Sequence, residues 1–226
     1  MADTLGSRNR YPNAQGIATS QAIVAVAGRL FAQRGYAGTA LRDIAEQADT
    51  ALSSIVYHFK TKKQLYLAAI RHYIVAESRL EEHFRFFNGL NYADTQAVAN
   101  ALRDAIYSFL DACHGPQANP YTIALYQRVI VEGDPAALMM LLECFAPVQK
   151  LLPQVVARIR PDFTEHDIAF WVQLYWSQLQ YTVMGKQLIL YDMHLGENYP
   201  PEYLDQAAWR FATYCCAPLG LPHPTR

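Results

Sequence analysis

The residues best suited to chemistry in this sequence are a short polar cluster and the lysines that follow it. The cluster consists of Ser53, Ser54, Tyr57, His58, Lys60, Lys62 and Lys63. Hydroxyl, phenol and imidazole groups can meet base edges in a DNA groove, and ammonium groups can meet phosphates. The cluster therefore indicates contact with nucleic acid rather than catalysis.

Two short amphipathic helices would be needed to present this cluster. The apolar faces would be Leu41, Ile44, Ala45 and Ala48 in the first helix, and Leu52, Ile55, Val56 and Phe59 in the second. Residues 49–51 between them fit the turn of a helix-turn-helix. We expect Thr39 to cap the first helix, with Asp43 in its first turn, where the helix dipole favours an anion. Periodicity alone leaves a purely structural role open.

The stretch from residue 39 to residue 65 resembles the DNA-binding domain of TetR-type transcriptional regulators. The matching residues are Thr39, Ile44, Ala45, Ala48, Phe59, Lys62 and Leu65, together with the run from Ile55 to Phe59. Asp49 replaces the turn glycine, Ala51 replaces the capping serine, and Thr50 and Thr61 replace Val and Ser. Asp49 tolerates the left-handed conformation that such a turn can require, and Thr50 is the candidate substitute for the lost serine cap.

The resemblance implies a homodimer in which each subunit places the second helix in a major groove of a palindromic operator. The residues predicted to bind DNA are Thr39, Arg42, Ala51, Leu52, Ser53, Ser54, Tyr57, His58 and Lys62. Among them, Thr39, Arg42 and Lys62 are expected at phosphates.

Charge divides the chain into a basic front and an acidic remainder. Residues 1–72 carry nine Lys or Arg against four acids, whereas the remainder carries ten against sixteen. The net charges are therefore +5 and -6, which agree with the total of -1. A basic module on an acidic body suits a protein that presents one end to nucleic acid.

The patterns predict an all-α fold in three parts. Residues 1–18 are expected to form a flexible arm, and residues 19–65 a three-helix DNA-binding domain with its motif at about 40–59. A long helix from Lys62 to about Phe87 would join it to a helical ligand-binding and dimerisation domain over residues 66–226. Pro147 and Pro153 should kink or divide the body helix in which they lie.

The body is expected to pair with a second copy and to hold a small molecule. The helix from about residue 165 to 193 is apolar nearly all round, so we place the dimer interface there and on 202–216. An intramolecular core is the alternative. Candidate ligand-binding residues are Tyr107, Tyr126, Arg128, Phe145, Tyr175, Gln178 and Tyr181, which suit an apolar or aromatic effector.

No motif predicts an enzyme. The sequence shows no catalytic constellation, metal-ligand spacing or phosphate loop, so no cofactor and no metal are expected. Cys215 and Cys216 are expected to be small buried hydrophobes rather than redox groups. No membrane partner is expected, and the location should be cytoplasmic. The favoured function is a ligand-responsive repressor. The alternative is an all-α enzyme or carrier whose amino-terminal helices are only structural.

Overall fold

The computed structural model describes residues 14–226. Within that range all regular structure is helical, which confirms the predicted all-α class. Most of the predicted arm lies outside the described residues. The first helix, α1, already begins at Ala14, about a turn and a half before the position predicted from the sequence.

Four helices form a compact unit, residues 14–71, which we call the head. They are α1 (Ala14–Arg34), α2 (Leu41–Gln47), α3 (Leu52–Phe59) and α4 (Lys62–Arg71). Gly35 ends α1 in the left-handed conformation, with φ of 73°. The Thr61 hydroxyl caps α4 by accepting a hydrogen bond from the backbone N–H of Gln64 at 3.1 Å.

The predicted continuous helix from Lys62 to Phe87 is wrong, because the helical run that continues from α4 is interrupted at Ser78 and Arg79. A π-helical segment covers His72–Glu77, Arg79 is left-handed with φ of 50°, and a 3-10 helix covers Leu80–Phe87. We call residues 72–87 the junction. Buried His83 secures the break: its Nε2–H donates to the Ser78 carbonyl oxygen at 2.7 Å, and its Nδ1 accepts from the Ser108 hydroxyl at 2.8 Å.

Six further helices make the body. They are α5 (Thr95–His114), α6 (Pro120–Glu132), α7 (Pro135–Ile159), α8 (Glu165–Met184), α9 (Lys186–Asp192) and α10 (Pro201–Leu219). α7 runs through Pro147 and Pro153 as one helix. The predicted helix to residue 193 is instead interrupted at Gly185, where α8 ends and α9 begins.

Two apolar cores hold the chain together, and one of them crosses from the head into the body. The body core lies mainly between α5, α7, α8 and α10. The head core contains Ile23, Phe31 and Ile55 but also Leu125 of α6 and Leu141 of α7. The head is therefore packed against α6 and α7, and the boundary predicted at residue 65 is not a break in packing.

One described helix, α7, is long and apolar enough to cross a membrane by length and composition alone. Its most apolar window has a mean hydropathy of 1.3, and 28% of that window is buried in the fold. α7 contributes Leu141, Val148 and Leu152 to the two cores. Core helices pass the same test, and these contacts place α7 between the two cores.

Candidate nucleic-acid interface and body cavity

Helix α3 is held against the head mainly by one fully buried residue and presents most of its surface to solvent. Ile55 is buried in the head core, whereas Tyr57 is 63% exposed and Val56 is 45% exposed. The exposed side of α3 consists of Ala51, Leu52, Ser53, Val56 and Tyr57, and we call it the reading face. An exposed helix of this kind can enter a major groove, which is wide enough for one α-helix.

The prediction that Leu52 and Val56 belong to the buried side of α3 is wrong. A helix of two turns needs few anchors, and Ile55 with half-buried Phe59 suffices. Val56 was therefore missed as a candidate contact, although its apolar side chain suits a thymine methyl group. Ser54 and His58 are half-buried and lie at the margin of the reading face.

Thr39 does not occupy the place predicted for it. Its side chain is 1% exposed, and its hydroxyl donates at the end of α1, 2.8 Å from the Gly35 carbonyl oxygen and 3.3 Å from that of Leu30. The residue before α2 is Ala40, which offers no side-chain cap. Thr39 thus fastens the carboxyl end of α1, and a buried hydroxyl cannot reach a phosphate.

Two residues in the turn before α3, Asp49 and Thr50, were considered in the sequence analysis, and the structure agrees with it for Asp49 but not for Thr50. Asp49 adopts the left-handed conformation that an aspartate tolerates, with φ of 47°. The predicted substitute cap at Thr50 is not formed, because Ala51 is the N-cap residue and α3 has no side-chain cap hydrogen bond. The first turn of α3 consequently leaves backbone N–H groups without a side-chain partner.

Basic side chains lie on the elements directly before and after α3. Arg42 and Lys60 are exposed, and the Lys60 ammonium donates to the Tyr57 carbonyl oxygen at 2.8 Å where α3 ends. Lys62 is half-buried, with its ammonium 4.5 Å from the centre of the Tyr36 ring. Lys63 is paired with Asp134 at the start of α7. Lys60, absent from the predicted set, therefore joins Arg42 and Lys62 as a candidate phosphate contact.

A second link between head and body runs through Arg128 of α6. Its Nε donates to the Ala32 carbonyl oxygen and its Nη2 to that of Gln33, both at 2.7 Å, so the guanidinium caps the end of α1. Gly35, which follows α1, has a φ of 73° that other residues rarely adopt, and a Cβ there would also displace the end of the Glu132 side chain, 2.5 Å away. Arg128 was predicted to bind ligand, but it binds the head instead.

The body contains a cavity of about 830 Å³ between α5, α6, α7, α8 and the junction. Of the predicted ligand-binding residues, Tyr126 and Phe145 line it. The other five lie elsewhere: Tyr107 and Tyr181 are surface side chains, Arg128 caps α1, Tyr175 is in the core, and Gln178 lies against Cys215. Sequence reasoning missed Thr122, Gln173 and Trp176, because helical spacing gives no sign of which side faces a cavity.

The cysteines of α10 are buried, as expected from the sequence. Burial raises the pKa of the Cys215 thiol and that of the Cys216 thiol to about 12, so both are neutral. Residues 14–226 contain no group of three or more His, Cys, Asp or Glu side chains that could hold a metal ion.

Large apolar side chains are exposed along the outer side of α8, α9 and α10. They include Phe170, Leu174, Tyr181, Leu188, Tyr191 and Tyr214, with Leu188 69% and Tyr191 84% exposed. They fall within the two ranges predicted to pair with a second copy. Large exposed apolar side chains of this kind are typical of protein–protein interfaces.

Comparison with known proteins identifies the head. A family model described as bacterial regulatory proteins, tetR family, matches residues 23–69. The biofilm operon icaADBC negative transcriptional regulator IcaR of Staphylococcus aureus is 33% identical over 81 residues, which is 36% of this chain and 38% of IcaR. The transcriptional regulator RutR of Escherichia coli K12 is 37% identical over 68 residues, 30% of each chain. The chain thus matches less than half the length of these relatives.

Solved structures share the whole fold at low sequence identity. A TetR-family regulator from Mesorhizobium loti superposes with a TM-score of 0.68 at 15% identity, over 91% of this chain and 98% of that one. A transcriptional regulator from Rhodococcus gives 0.61 at 20% identity, over 88% and 96%. At such identities the likeness establishes the helical architecture, head and body together.

Proposed function

We propose that this chain, whose residues 23–69 match the tetR family of bacterial regulatory proteins, is a homodimeric transcriptional repressor released from its operator by a small molecule. The observation that carries the proposal is the reading face, an exposed helix surface anchored by Ile55 and Phe59, with exposed Arg42 before it in the chain and exposed Lys60 after it. Repression is favoured because IcaR is a negative regulator. These relatives are transcriptional regulators, which weighs against the alternative of an enzyme or carrier.

The proposed DNA contacts are of two kinds, those that position the head on the phosphates and those that recognise the bases. Arg42, Lys60 and Lys62 would neutralise phosphates, which fixes the head on the duplex and makes binding weaken steeply with salt. Tyr57 and Val56 would reach base edges in the major groove, where an apolar side chain distinguishes thymine by its methyl group. Sequence selectivity would thus rest on α3 and affinity on the basic flank.

A two-fold dimer would place one head in each of two successive major grooves. The exposed apolar side chains of α8 to α10 would be covered by the same surface of a second copy, as a two-fold interface requires. The operator would then be an inverted repeat with half-sites about one helical turn apart. The protein would act in the cytoplasm, where the chromosome lies, and would need no cofactor or metal.

Release by an effector follows from where the cavity lies. Helix α6 lines the cavity with Tyr126 and holds the end of α1 with Arg128. The cavity wall also includes Ile74 and Ser78 of the junction. An apolar or aromatic effector that favours a shifted α6 or junction would favour wrongly spaced heads, and DNA affinity would fall by that preference.

The test compares the full protein with Tyr57→Ala on labelled genomic duplexes in the presence of excess unrelated duplex. We expect the wild type to retain a selected subset and Tyr57→Ala to lose that selectivity while its helical circular dichroism is unchanged. Tyr107→Ala, a surface tyrosine of the body, is the matched control and should behave as wild type. Equal selectivity in wild type and Tyr57→Ala would refute the proposal that the reading face recognises the DNA sequence.

A further inference from the structure

We infer that the place where α5 and α10 meet is a recognition site for an extended, proline-containing peptide, and that residues 221–226 are its resident, exchangeable ligand. We call these residues the strap. The site, which we call the seam, is formed by Gln96, Asn100 and Arg103 of α5 and Trp209 of α10. None of these four side chains lines the cavity or belongs to the reading face, so the inference goes beyond the proposed function.

The strap reaches the seam because the chain reverses where α10 ends. Gly220 is left-handed, with φ of 69°, and its N–H donates to the Ala217 carbonyl oxygen at 3.1 Å. The Leu221 N–H donates to the Cys216 carbonyl oxygen at 3.2 Å, which completes a Schellman motif. The strap then returns to Trp209, which lies about 15 Å before the end of α10, a distance that an extended segment of this length can span.

Side chains of the seam satisfy the backbone of the strap. The carbonyl oxygens of three successive strap residues accept hydrogen bonds: His223 from the Gln96 amide at 3.0 Å, Pro224 from the Trp209 indole at 2.9 Å, and Thr225 from the Arg103 guanidinium at 2.8 Å. The Thr225 N–H donates to Asn100 Oδ1 at 2.8 Å. An extended segment has no internal backbone hydrogen bonds, so these contacts recognise the shape of a peptide backbone.

The three seam residues of α5 are spaced to match an extended backbone. Gln96, Asn100 and Arg103 stand at i, i+4 and i+7 and so lie on one side of the helix. One helical turn rises about 5.4 Å, and two residues of a polyproline II segment rise about 6.2 Å. Pro222 and Pro224 favour that conformation, because the proline ring fixes φ close to the polyproline II value. The strap is therefore preorganised for the seam.

Apolar contacts of the strap add selectivity. Leu221 is 7% exposed and belongs to the body core, and Pro224 is buried. The Trp209 ring meets the His223 ring edge-on, and the Arg226 guanidinium lies 4.8 Å from its centre. Aromatic side chains are a common means of binding proline-containing extended peptides. The seam thus fits a peptide that carries leucine three residues before a proline.

The strap can leave the seam without unfolding the body. The side chains of His223, Thr225 and Arg226 are exposed, and the four side chains of the seam are only half-buried. The strap contains no helix and is joined to the body at Gly220. Because a tethered segment acts at a high effective concentration, the seam stays filled until a peptide of the same shape is in excess.

A labelled peptide tests whether the seam takes a separate ligand. Fluorescein-labelled GLPHPTR, the sequence of residues 220–226, is titrated with the wild type and with full-length Pro224→Asp, in which a buried charge should unseat the strap. Fluorescence polarisation should show saturable binding to Pro224→Asp that is tighter than binding to the wild type by roughly a factor of ten or more, since the wild-type seam is already filled.

Matched arginine variants locate the binding site. Adding Arg103→Ala to Pro224→Asp should weaken peptide binding about fivefold, because one charge-assisted hydrogen bond is lost. Adding Arg85→Ala, at an exposed arginine outside the seam, should leave it unchanged. Absence of binding to folded Pro224→Asp, equal binding to Pro224→Asp and the wild type, or equal effects of the two arginine variants would overturn the inference.

A second measurement uses the wild type and does not require Pro224→Asp to fold. Excess unlabelled peptide should speed hydrogen exchange of the Thr225 amide, because a displaced strap loses its bond to Asn100. A peptide with aspartate in place of the second proline is the control and should leave the exchange rate unchanged. The same exchange rate with both peptides would mean that the strap is not exchangeable. Neither measurement involves DNA, so the proposed regulatory function is tested separately.

Discussion

Replacing Arg128 with alanine should loosen the head from the body more than any other surface substitution in α6. The guanidinium makes two hydrogen bonds of 2.7 Å to the last carbonyl groups of α1, those of Ala32 and Gln33. Glu132 lies 3.8 Å from the same guanidinium and steadies it only weakly. Arg128→Ala therefore leaves two carbonyl groups at a helix end without their donors, one of them on the buried residue Ala32.

The size of the effect follows from these contacts. A hydrogen bond from a charged group contributes about 1.5–3 kcal/mol, and an unpaired buried acceptor costs about as much. The Arg128 side chain is 39% exposed, so water replaces part of what is lost. We expect the free energy of unfolding to fall by about 2 kcal/mol, which corresponds to a loss of about 4–8 °C in Tm for a chain of this size.

Urea denaturation followed by circular dichroism measures this change. Arg128→Lys should lose about half as much, because a single ammonium cannot replace the two-armed guanidinium. Arg85→Ala is the control, because Arg85 is exposed and its guanidinium lies 5.1 Å from the centre of the Phe86 ring. This substitution should change the free energy of unfolding by less than about 0.5 kcal/mol. A change of less than about 0.5 kcal/mol in the free energy of unfolding for Arg128→Ala would refute the claim that α6 stabilises the end of α1.

Three further predictions concern pH, capping and pairing. Burial and the nearby Lys186 lower the pKa of His114 from 6.5 to about 4, so the unfolded chain binds a proton first and stability falls as pH drops below 6.5. Urea titrations should show that the free energy of unfolding is about 2–3 kcal/mol lower at pH 4.5 than at pH 7. His114→Phe should remove this difference, whereas the control His194→Asn, at an exposed histidine, should keep it. Equal pH dependence in the two variants would contradict this. Ala51→Ser should supply the missing side-chain cap of α3 and raise the free energy of unfolding by about 1 kcal/mol in thermal denaturation. No gain would mean that the serine hydroxyl does not reach the free N–H groups of α3. Leu188→Asp should shift the protein toward monomer in sedimentation analysis, and an unchanged dimer would place the interface elsewhere.

The head could be predicted well from the sequence because its signals are local. The row Leu41, Ile44 and Ala45 defines α2, and Gly35 marks the end of α1. What failed there depended on three dimensions. The Thr39 hydroxyl has two possible neighbours, α2 and the end of α1, and spacing along the chain could not decide between them.

The junction could not be predicted, since its apolar pattern continues smoothly across the break. At the break, the left-handed Arg79 is followed by His83, which bonds back to Ser78 and across to Ser108. Such bonds form between residues whose proximity is set by the packing of α5 against the 3-10 helix. A helical pattern reports which side is apolar and does not report whether the helix is continuous.

The cavity was foreseen as a kind of site but not in its residues. Aromatic content indicated that the body could hold an apolar molecule, and Tyr126 and Phe145 do line the cavity. Tyr175 fits the same criteria and is buried in the core. An aromatic side chain fills a core or borders a void according to the packing of its neighbours, which one sequence does not specify.

Selection of bound duplexes from a random pool tests the central claim most directly. The full protein should enrich an inverted repeat whose two half-sites lie about one helical turn apart, because two α3 helices related by a two-fold axis meet successive major grooves. Binding to the enriched duplex should weaken steeply with salt, as phosphate contacts by Arg42, Lys60 and Lys62 require. A pool that shows no enriched sequence after repeated rounds, with folded dimeric protein, would contradict the account.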